Sequence, residues 1–212
     1  MTRPRLDAAP EPTDAPRDRA VVVPLRRPST DLADIGDEAM IAACATGDAI
    51  ARAALFQRHV AAVHRFVARL CYDAAAVDDL VQSTFIAAYR AAPRFRAGAR
   101  ALPWLFGIAA NLTRSHIRRE GRRVRALTAI ASLQRDEPAV ELDPARRDRI
   151  ARLPAAIAAL SHDLRAALVL VDLEGESGRD AAAALGVPEG TLWRRVFVAR
   201  RAVRTFVDGG GR

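Results

Sequence analysis

The side chains that could carry out acid–base, nucleophilic or metal chemistry are scattered along this chain of 212 residues. Asp78 and Asp79 lie one helical turn from Gln82, but the sequence nearby offers no histidine or third carboxylate that would complete a catalytic or metal site. The two cysteines, Cys44 and Cys71, lack metal-ligand spacing and fall in apolar helical patterns that are typical of buried thiols. The four histidines are equally dispersed, at His59, His64, His116 and His162. The sequence therefore predicts no catalytic residue, no metal ion and no cofactor, and it predicts a solvated or partner-facing helix surface at the two aspartates.

Arginine is the residue type whose chemistry stands out. All 33 basic residues are arginine, the net charge is +8, and the guanidinium fork fits both phosphates and base edges. Residues 94–125 hold nine arginines and one acid, and residues 191–212 hold six arginines and one acid. Between them, residues 126–190 hold eleven acids and seven arginines. Two separate basic patches, each at the end of a helical unit, predict a bipartite contact with nucleic acid.

The elements that position these patches are predicted to be helices. Half of the residues are hydrophobic, only 5% are aromatic, and no dense run of Val, Ile and Thr occurs, so the predicted fold class is all-α. In the first helical unit, Asp37, Asp48 and Asp73 are predicted to cap three successive helices. An arginine-rich loop then leads into a fourth helix that begins near Leu102. The third helix is predicted to bury one stripe, formed by Val77, Leu80, Val81, Thr84, Phe85 and Ala88.

The second helical unit has the pattern of a helix-turn-helix. Pro154 is predicted to open a short helix and Ser161 to cap the next one. Ser177 and Asp180 then have capping-box spacing, and Gly186 supplies a tight turn before the last helix. The buried face of that helix is predicted to hold Leu192, Val196, Ala199, Val203 and Phe206. The opposite face, which would enter the major groove of DNA, holds Arg194, Phe197, Val198, Arg201 and Arg204.

Composition divides the chain into four parts. Residues 1–36 hold equal numbers of arginines and acids and six of the twelve prolines, which predicts a disordered N-terminal arm. Residues 37–123 and 149–212 are predicted to form two small helical domains, and residues 124–148 a flexible linker. Because no apolar stretch approaches the length of a membrane span, we expect a cytoplasmic protein without membrane insertion.

Three segments follow one another along the chain: DDLVQSTF (78–85), WLFGIAAN (104–111) and residues 177–204. In this order they resemble the region 2 signature, the stretch that follows it, and region 4 of the sigma factors of the extracytoplasmic-function (ECF) group, the small members of the bacterial sigma-70 family. The resemblance runs from about residue 37 to residue 207. It implies a transcription initiation factor, monomeric when free, that binds the RNA polymerase core, directs it to promoter DNA and helps melt the minus-ten element. An anti-sigma factor is a common partner in this group.

The resemblance also implies roles for individual residues. Contact with the polymerase core would involve Asp78, Asp79, Gln82 and Phe85. The minus-ten element would be held by Arg94, Phe95, Arg96, Arg100, Trp104, Asn111, Arg114, Arg118 and Arg119, although Trp104 is as well suited to the core as to DNA. The minus-35 element would be read by Thr191, Trp193, Arg194, Arg195, Phe197, Val198, Arg200, Arg201 and Arg204. The sequence departs from residues that are frequent in the family at Ser161, Asp180–Ala182, Trp193 and Val198, which alters the surface that reads the promoter.

Two other functions remain open at this point. A conventional helix-turn-helix regulator, with an N-terminal sensing or dimerisation domain, would bind duplex DNA tightly without polymerase and would use paired half-sites. An enzyme that acts on nucleic acid would need a nucleophile or a metal cluster. Activity that requires Asp78, Asp79 and a divalent metal would identify such an enzyme.

Overall fold

The structure is a computed structural model that describes residues 35–130 and 147–209, and within these ranges the chain forms helices and no strand. The all-α prediction is confirmed. The helices are α1 (Asp37–Ala45), α2 (Ala49–Leu70), α3 (Val77–Ala91), α4 (Ala101–Ile130), α5 (Arg147–Ala158), α6 (His162–Leu168), α7 (Gly178–Leu185) and α8 (Glu189–Gly209). Short 3-10 turns flank α3 at Ala74–Ala76 and Ala92–Arg94, and a π-helical turn, Val169–Leu173, extends α6. The predicted N-terminal arm and most of the predicted linker lie outside the described residues.

Two of the three aspartate caps in the first unit are present. The Asp48 carboxylate accepts hydrogen bonds from the backbone amides of Ile50 and Ala51, at 2.7 and 3.1 Å, and so begins α2. The Asp73 carboxylate accepts from the amide of Ala75 at 3.0 Å, and it therefore caps the 3-10 turn that leads into α3.

The predicted cap at Asp37 is wrong. Gly36 is the N-cap of α1, with extended backbone angles, and Asp37 lies inside the first turn. The carboxylate of Asp37 instead binds Arg58 and His59 of α2, at 2.8 and 3.0 Å. An ion pair with a neighbouring helix takes the side chain away from its own backbone.

Two helix boundaries also differ from the prediction. Helix α4 continues to Ile130, so it occupies the beginning of the segment that was predicted to be a linker. Pro154 lies inside α5, which begins at Arg147, and does not open a helix of its own. An interior proline removes one backbone hydrogen bond and crowds the carbonyl four residues before it, yet α5 continues through Pro154, whose side chain is exposed.

One apolar cluster joins the two helical units. It contains buried residues of α2, α3 and α4 together with buried residues of α6, α7 and α8. At its centre the rings of Phe66 and Phe106 lie 4.6 Å apart, and both residues are 0% exposed. The predicted stripe of α3 is buried in full. The two units therefore share a core in this structure.

Helices α7 and α8 form the predicted helix-turn-helix. The Ser177 hydroxyl accepts a hydrogen bond from the Asp180 amide at 3.1 Å and donates one to the Asp180 carboxylate at 2.9 Å. Gly186 ends α7 with a φ of +63°, a conformation that residues with a Cβ rarely adopt. The predicted buried face of α8 is confirmed at Leu192, Val196 and Ala199. It is wrong at Phe206, which is 44% exposed because the cluster between α5, α6 and α8 ends at Val203.

Candidate nucleic-acid interface

The outer face of α8 carries the arginine and apolar side chains that were predicted to meet the major groove. Phe197 is 67% exposed and Val198 is 40% exposed, although both are apolar. Arg194, Arg201 and Arg204 are exposed on the same helix. Guanidinium groups can pair with guanine or phosphate, and an apolar side chain can contact a thymine methyl group. The structure thus leaves this face of α8 available to DNA.

Three other residues of the predicted minus-35 set are engaged within the protein. Arg195 binds the carboxylate of Asp163 at 3.1 Å, and Arg200 makes two hydrogen bonds to Asp172, at 2.9 and 2.5 Å. Trp193 packs on Gly178, where an added Cβ would lie 2.6 Å from the indole ring. Trp193 therefore helps to hold α7 against α8 while remaining 43% exposed, and Thr191, at the beginning of the helix, is exposed.

The predicted minus-ten residues lie in the loop before α4 and along that helix as far as Arg119. The rings of Phe95 and Trp104 meet edge to face, with centroids 5.0 Å apart, and both side chains are half-buried. Trp104 thus belongs partly to the core and partly to the surface. The exposed members of the set are Arg94, Arg96, Arg100, Asn111, Arg118 and Arg119. A cavity of about 520 Å³ opens among Arg94, Arg96, Arg100, Asn111 and the facing residues of α7.

The predicted polymerase-binding residues lie on α3 and do not all share a face. Asp78, Asp79 and Gln82 are exposed. Phe85 is 2% exposed and packs between Phe56 and Tyr89. It therefore belongs to the buried stripe of α3, and its contact with the polymerase stays a prediction.

Sequence reasoning missed a group of acids that contact the arginines of the first unit. Arg100 binds Glu176 at 2.5 Å and Asp180 at 3.2 Å, and Arg114 binds Asp163. The excess of acids in residues 126–190 was the available signal, because a charged segment between two basic ones has complementary surfaces within reach. The pairing itself depends on tertiary packing.

Asp163 lies between two positive charges, Arg114 of α4 and Arg195 of α8. Burial alone would raise the pKa of Asp163, but the two guanidinium groups outweigh it and hold this pKa below its ordinary value of 3.8. The folded protein therefore binds a proton at this carboxyl less readily than the unfolded chain does. The stability that Asp163 contributes is complete above pH 3.8 and is lost as the pH falls through the lowered pKa.

We expect the free energy of unfolding of Asp163→Asn to depend less on pH, at acidic pH, than that of the unsubstituted protein. Between pH 5 and pH 3, as an approximate window around the unfolded pKa, the free energy of unfolding should fall more steeply in the unsubstituted protein than in the variant. Urea unfolding at a series of pH values measures this difference. Equal slopes would show that Asp163 titrates alike in the folded and unfolded states.

Among the described residues, no group of three His, Cys, Asp or Glu side chains could hold a metal ion. Within the same ranges, no helix has the length and hydropathy that a bilayer span requires. A helix-turn-helix with an arginine-rich outer face, packed on the first helical unit with its own arginine-rich surface, defines a two-part DNA-binding protein.

Comparison with known proteins narrows this class. The Sigma-70 region 2 family profile matches residues 55–123, and the Sigma-70 region 4 profile matches residues 150–203. The ECF RNA polymerase sigma factor SigC of Mycobacterium tuberculosis (strain CDC 1551 / Oshkosh) is 38% identical over 172 residues, which cover 79% of this chain and 90% of the relative. The RNA polymerase sigma-H factor of Pseudomonas aeruginosa is 32% identical over 183 residues, which cover 79% and 91%.

Two solved structures of sigma factor complexes are also similar to this chain. CnrH, in complex with the cytosolic domain of CnrY, matches with a TM-score of 0.59 and 27% identity over 82% of this chain and 97% of that one. The sigma factor RpoE of Bartonella quintana, in complex with the anti-sigma factor NepR, matches with a TM-score of 0.57 and 27% identity over 74% and 96%. This chain belongs to the ECF group of the sigma-70 family of RNA polymerase sigma factors. It is a transcription initiation factor that directs RNA polymerase to promoters. Below, region 2 denotes residues 55–123 and region 4 denotes residues 150–203.

Proposed function

We propose that three surfaces of this sigma factor divide the work of initiation. The exposed residues Asp78, Asp79 and Gln82 of α3 dock the polymerase core. The loop before α4 and α4 as far as Arg119 hold the unpaired strand of the minus-ten element, with aromatic stacking at Phe95 and Trp104 and arginines along the backbone. The outer face of α8 reads the minus-35 element. Each contact is weak alone, and mounting both on the polymerase makes the second one form at high effective concentration.

The observation that carries this proposal is the outer face of α8, where exposed apolar residues stand among exposed arginines on a helix-turn-helix. Phe197 and Val198 are 67% and 40% exposed and lie around one surface depression with Phe206, and a contiguous exposed apolar patch of this kind marks an interaction site. The domain organisation that accompanies it is an arm at 1–36, a first domain from residue 37 and a second domain at 149–212. Because α4 continues to Ile130, the connection between the domains begins after that residue and not at residue 124.

We further propose that the protein is no enzyme, acts in the bacterial cytoplasm as a monomer when free, and is controlled by an anti-sigma factor. The RpoE match, solved as a complex with an anti-sigma factor, supports the last point. An experiment can distinguish this proposed function from that of a conventional helix-turn-helix regulator. A regulator binds paired half-sites without polymerase, whereas a sigma factor needs the core.

Run-off transcription with purified core polymerase tests the proposal. The protein is incubated with core and a promoter library, and the selected promoters are transcribed with and without it. We expect transcripts only when both protein and core are present. Tight sequence-specific binding to duplex DNA, with no transcript from any selected template, would favour the regulator.

Arg201→Ala is expected to weaken binding at one position of the minus-35 element. Loss of a guanidinium that pairs with a base costs about 1–3 kcal/mol at that base pair and relaxes specificity there. Competition among promoter variants, each altered at one position, measures the effect. Arg90→Ala, on an exposed arginine of α3, is the matched control. A uniform loss over all promoter variants would make Arg201 a phosphate contact and would contradict base reading.

Gln82→Ala is expected to weaken binding to the polymerase core by about fivefold, the range of a residue that contributes to an interface. Binding of the isolated protein to DNA should not change, because Gln82 lies on α3 and belongs to neither of the two proposed DNA-binding surfaces. Surface-immobilised core and fluorescent DNA measure the two affinities separately. Ser83→Ala, at the neighbouring exposed position, is the control. A parallel loss of core and DNA binding would contradict this division of surfaces.

A further inference from the structure

The outer face of α8 carries charged and apolar side chains in a regular order. Arg194 comes first, Phe197 and Val198 follow one turn later, and Arg201 comes one turn after them. All four are exposed, Phe197 to 67% and Val198 to 40%. Because a helix turns by about 100° per residue, Val198 lies within about 60° of both arginines around the helix axis. An apolar spot, formed by Phe197 and Val198, therefore separates two guanidinium groups on one face.

The arginines of this face differ from the arginines beside it. Arg195 and Arg200 each bind a carboxylate of region 4, at 3.1 and 2.9 Å. Within the part of the chain whose side chains the structure describes, neither Arg194 nor Arg201 forms an ion pair. The protein's own acids thus hold the flanks of α8, and they leave the two guanidinium groups of the outer face to an external ligand.

The apolar spot matches only part of what base pairs present in the major groove. Thymine adds a methyl group to that edge, whereas adenine, guanine and cytosine present only hydrogen-bond donors and acceptors there. Phe197 and Val198 have no polar side-chain atom, so a polar base edge placed against them would lose water without gaining a partner. A T·A pair is therefore the base pair that this spot accommodates at the lowest cost.

Val198 has the better shape for selecting a methyl group. Its branched Cβ restricts χ1 in a helix, so both of its methyl groups are held in place before DNA binds. Val198 and Arg201 also line a shallow and mostly apolar depression of about 470 Å³ on the surface of α8. A concave apolar surface is complementary to a methyl group that projects from the floor of the groove.

The spacing along α8 limits where this base pair lies. Arg194 and Arg201 are seven residues apart, which is about 10 Å along the axis of a helix. Successive base pairs are about 3.4 Å apart, so the two arginines span about three base-pair steps. A base pair that meets Val198 lies between the positions that the two guanidinium groups can contact.

We propose that Val198 selects a T·A pair within the minus-35 element by contact with the thymine methyl group, while Arg194 and Arg201 contact the DNA on either side of that pair. The inference rests on the proposed reading of the minus-35 element by the outer face of α8. It adds the base that this chain selects and the residue that selects it. Phe197 covers the other side of the apolar spot and excludes water from the contact.

The experiment uses the full-length protein bound to core polymerase and one promoter selected with the unsubstituted protein. Each thymine of its minus-35 element, on either strand, is replaced in turn by deoxyuridine, which lacks only the methyl group. Competition between fluorescent duplexes measures binding for the unsubstituted protein and for Val198→Ala. Leu173→Ala is the matched control, since Leu173 is exposed to 42%, close to the 40% of Val198, but lies outside α8.

We expect deoxyuridine at one thymine to weaken binding of the unsubstituted protein about fourfold, the value of one buried methyl-sized group. Val198→Ala should make the same replacement nearly neutral, because two groups in contact are energetically coupled. Leu173→Ala should keep the fourfold effect. Val198→Arg, which adds a guanidinium, should prefer G·C over T·A at that base pair by about tenfold.

Three results would overturn the inference. One is a minus-35 element in which no thymine methyl group affects binding. Another is a deoxyuridine effect that is as large in Val198→Ala as in the unsubstituted protein. The third is a Val198→Arg protein that still prefers T·A at the same position.

Substitution of the two arginines distinguishes these failures from failure of the proposed function. If Arg194→Ala and Arg201→Ala weaken binding while thymine methyl groups have no effect, α8 reads the element and only the role of Val198 is wrong. If neither arginine substitution changes binding to any promoter variant, α8 does not read the element, and the proposed function fails together with the inference.

Discussion

Replacing Arg165 with alanine is expected to lower the free energy of unfolding by about 3–5 kcal/mol, the range observed when one partner of a buried charged network is removed. Arg165 is 1% exposed, which is rare for an arginine, and its hydrogen bonds go to backbone carbonyls. Its donors reach the carbonyl oxygens of Ile157 at 3.0 Å, Leu70 at 2.8 Å, Ala158 at 2.8 Å and Leu160 at 2.6 Å.

The position of this guanidinium explains how a buried charge is tolerated. Leu70 is the last residue of α2 and Ala158 is the last residue of α5, so Arg165 lies at the C-terminal ends of two helices, where a positive charge is favourable. The guanidinium also lies over the ring of Tyr72, 4.0 Å from its centroid. Burial lowers the pKa of Arg165 to about 10, which leaves it charged at neutral pH. Without it, buried carbonyls lose their partners.

Urea unfolding followed by circular dichroism measures this loss, and Arg165→Lys is the informative control. Lysine keeps the charge, but its single nitrogen has three donors and cannot span four carbonyls. We expect the lysine variant to lie between the unsubstituted protein and the alanine variant. A loss below about 1 kcal/mol for Arg165→Ala would show that water replaces the guanidinium at these carbonyls.

Replacing Phe106 with alanine is expected to cost about 3–5 kcal/mol as well, through lost burial and the cavity that remains. Phe106 is 0% exposed, packs on Phe66 and belongs to the cluster that joins the two regions. Because that cluster contains residues of both regions, the substitution should lower the stability of region 2 and of region 4. We expect one cooperative transition, displaced as a whole to lower urea.

The two tryptophans report on the two regions separately, since Trp104 lies in region 2 and Trp193 in region 4. Fluorescence of Trp104→Phe and Trp193→Phe backgrounds therefore follows each region alone. Phe106→Ala should shift both midpoints equally, and Phe106→Leu should shift both by a smaller amount. A shift confined to the background that retains Trp104 would mean that region 4 unfolds independently and that the shared core contributes little.

Local patterns in the sequence were sufficient to predict most of the helices, their buried faces and their caps. Helical periodicity located the buried stripe of α3 and the face of α8 up to Val203, because a helix turns by a constant angle per residue whatever it packs against. Caps at Asp48 and Ser177 and the turn at Gly186 were also readable, since each is an interaction over a few residues. The candidate site was predicted as a set of residues, from the positions of the arginines and the resemblance of three segments to one family, and it stays a prediction.

The errors arose where a distant segment competes with a local preference. Asp37 was predicted to cap its own helix, but it binds Arg58, which lies on α2. Phe206 continues the apolar face of α8 beyond the helices that cover that face.

The amino-acid sequence alone determined the helices, the helix-turn-helix, the two basic patches and, through the resemblance, the family. Only the tertiary structure decided that the acidic segment meets the first patch, that Arg165 is buried between two helix ends, and that the two regions share a core. The physical reason is distance along the chain. Helix formation is governed by neighbours within about four residues, whereas the contact of Arg100 with Glu176 joins positions 76 apart and exists only once α4 and α7 have packed.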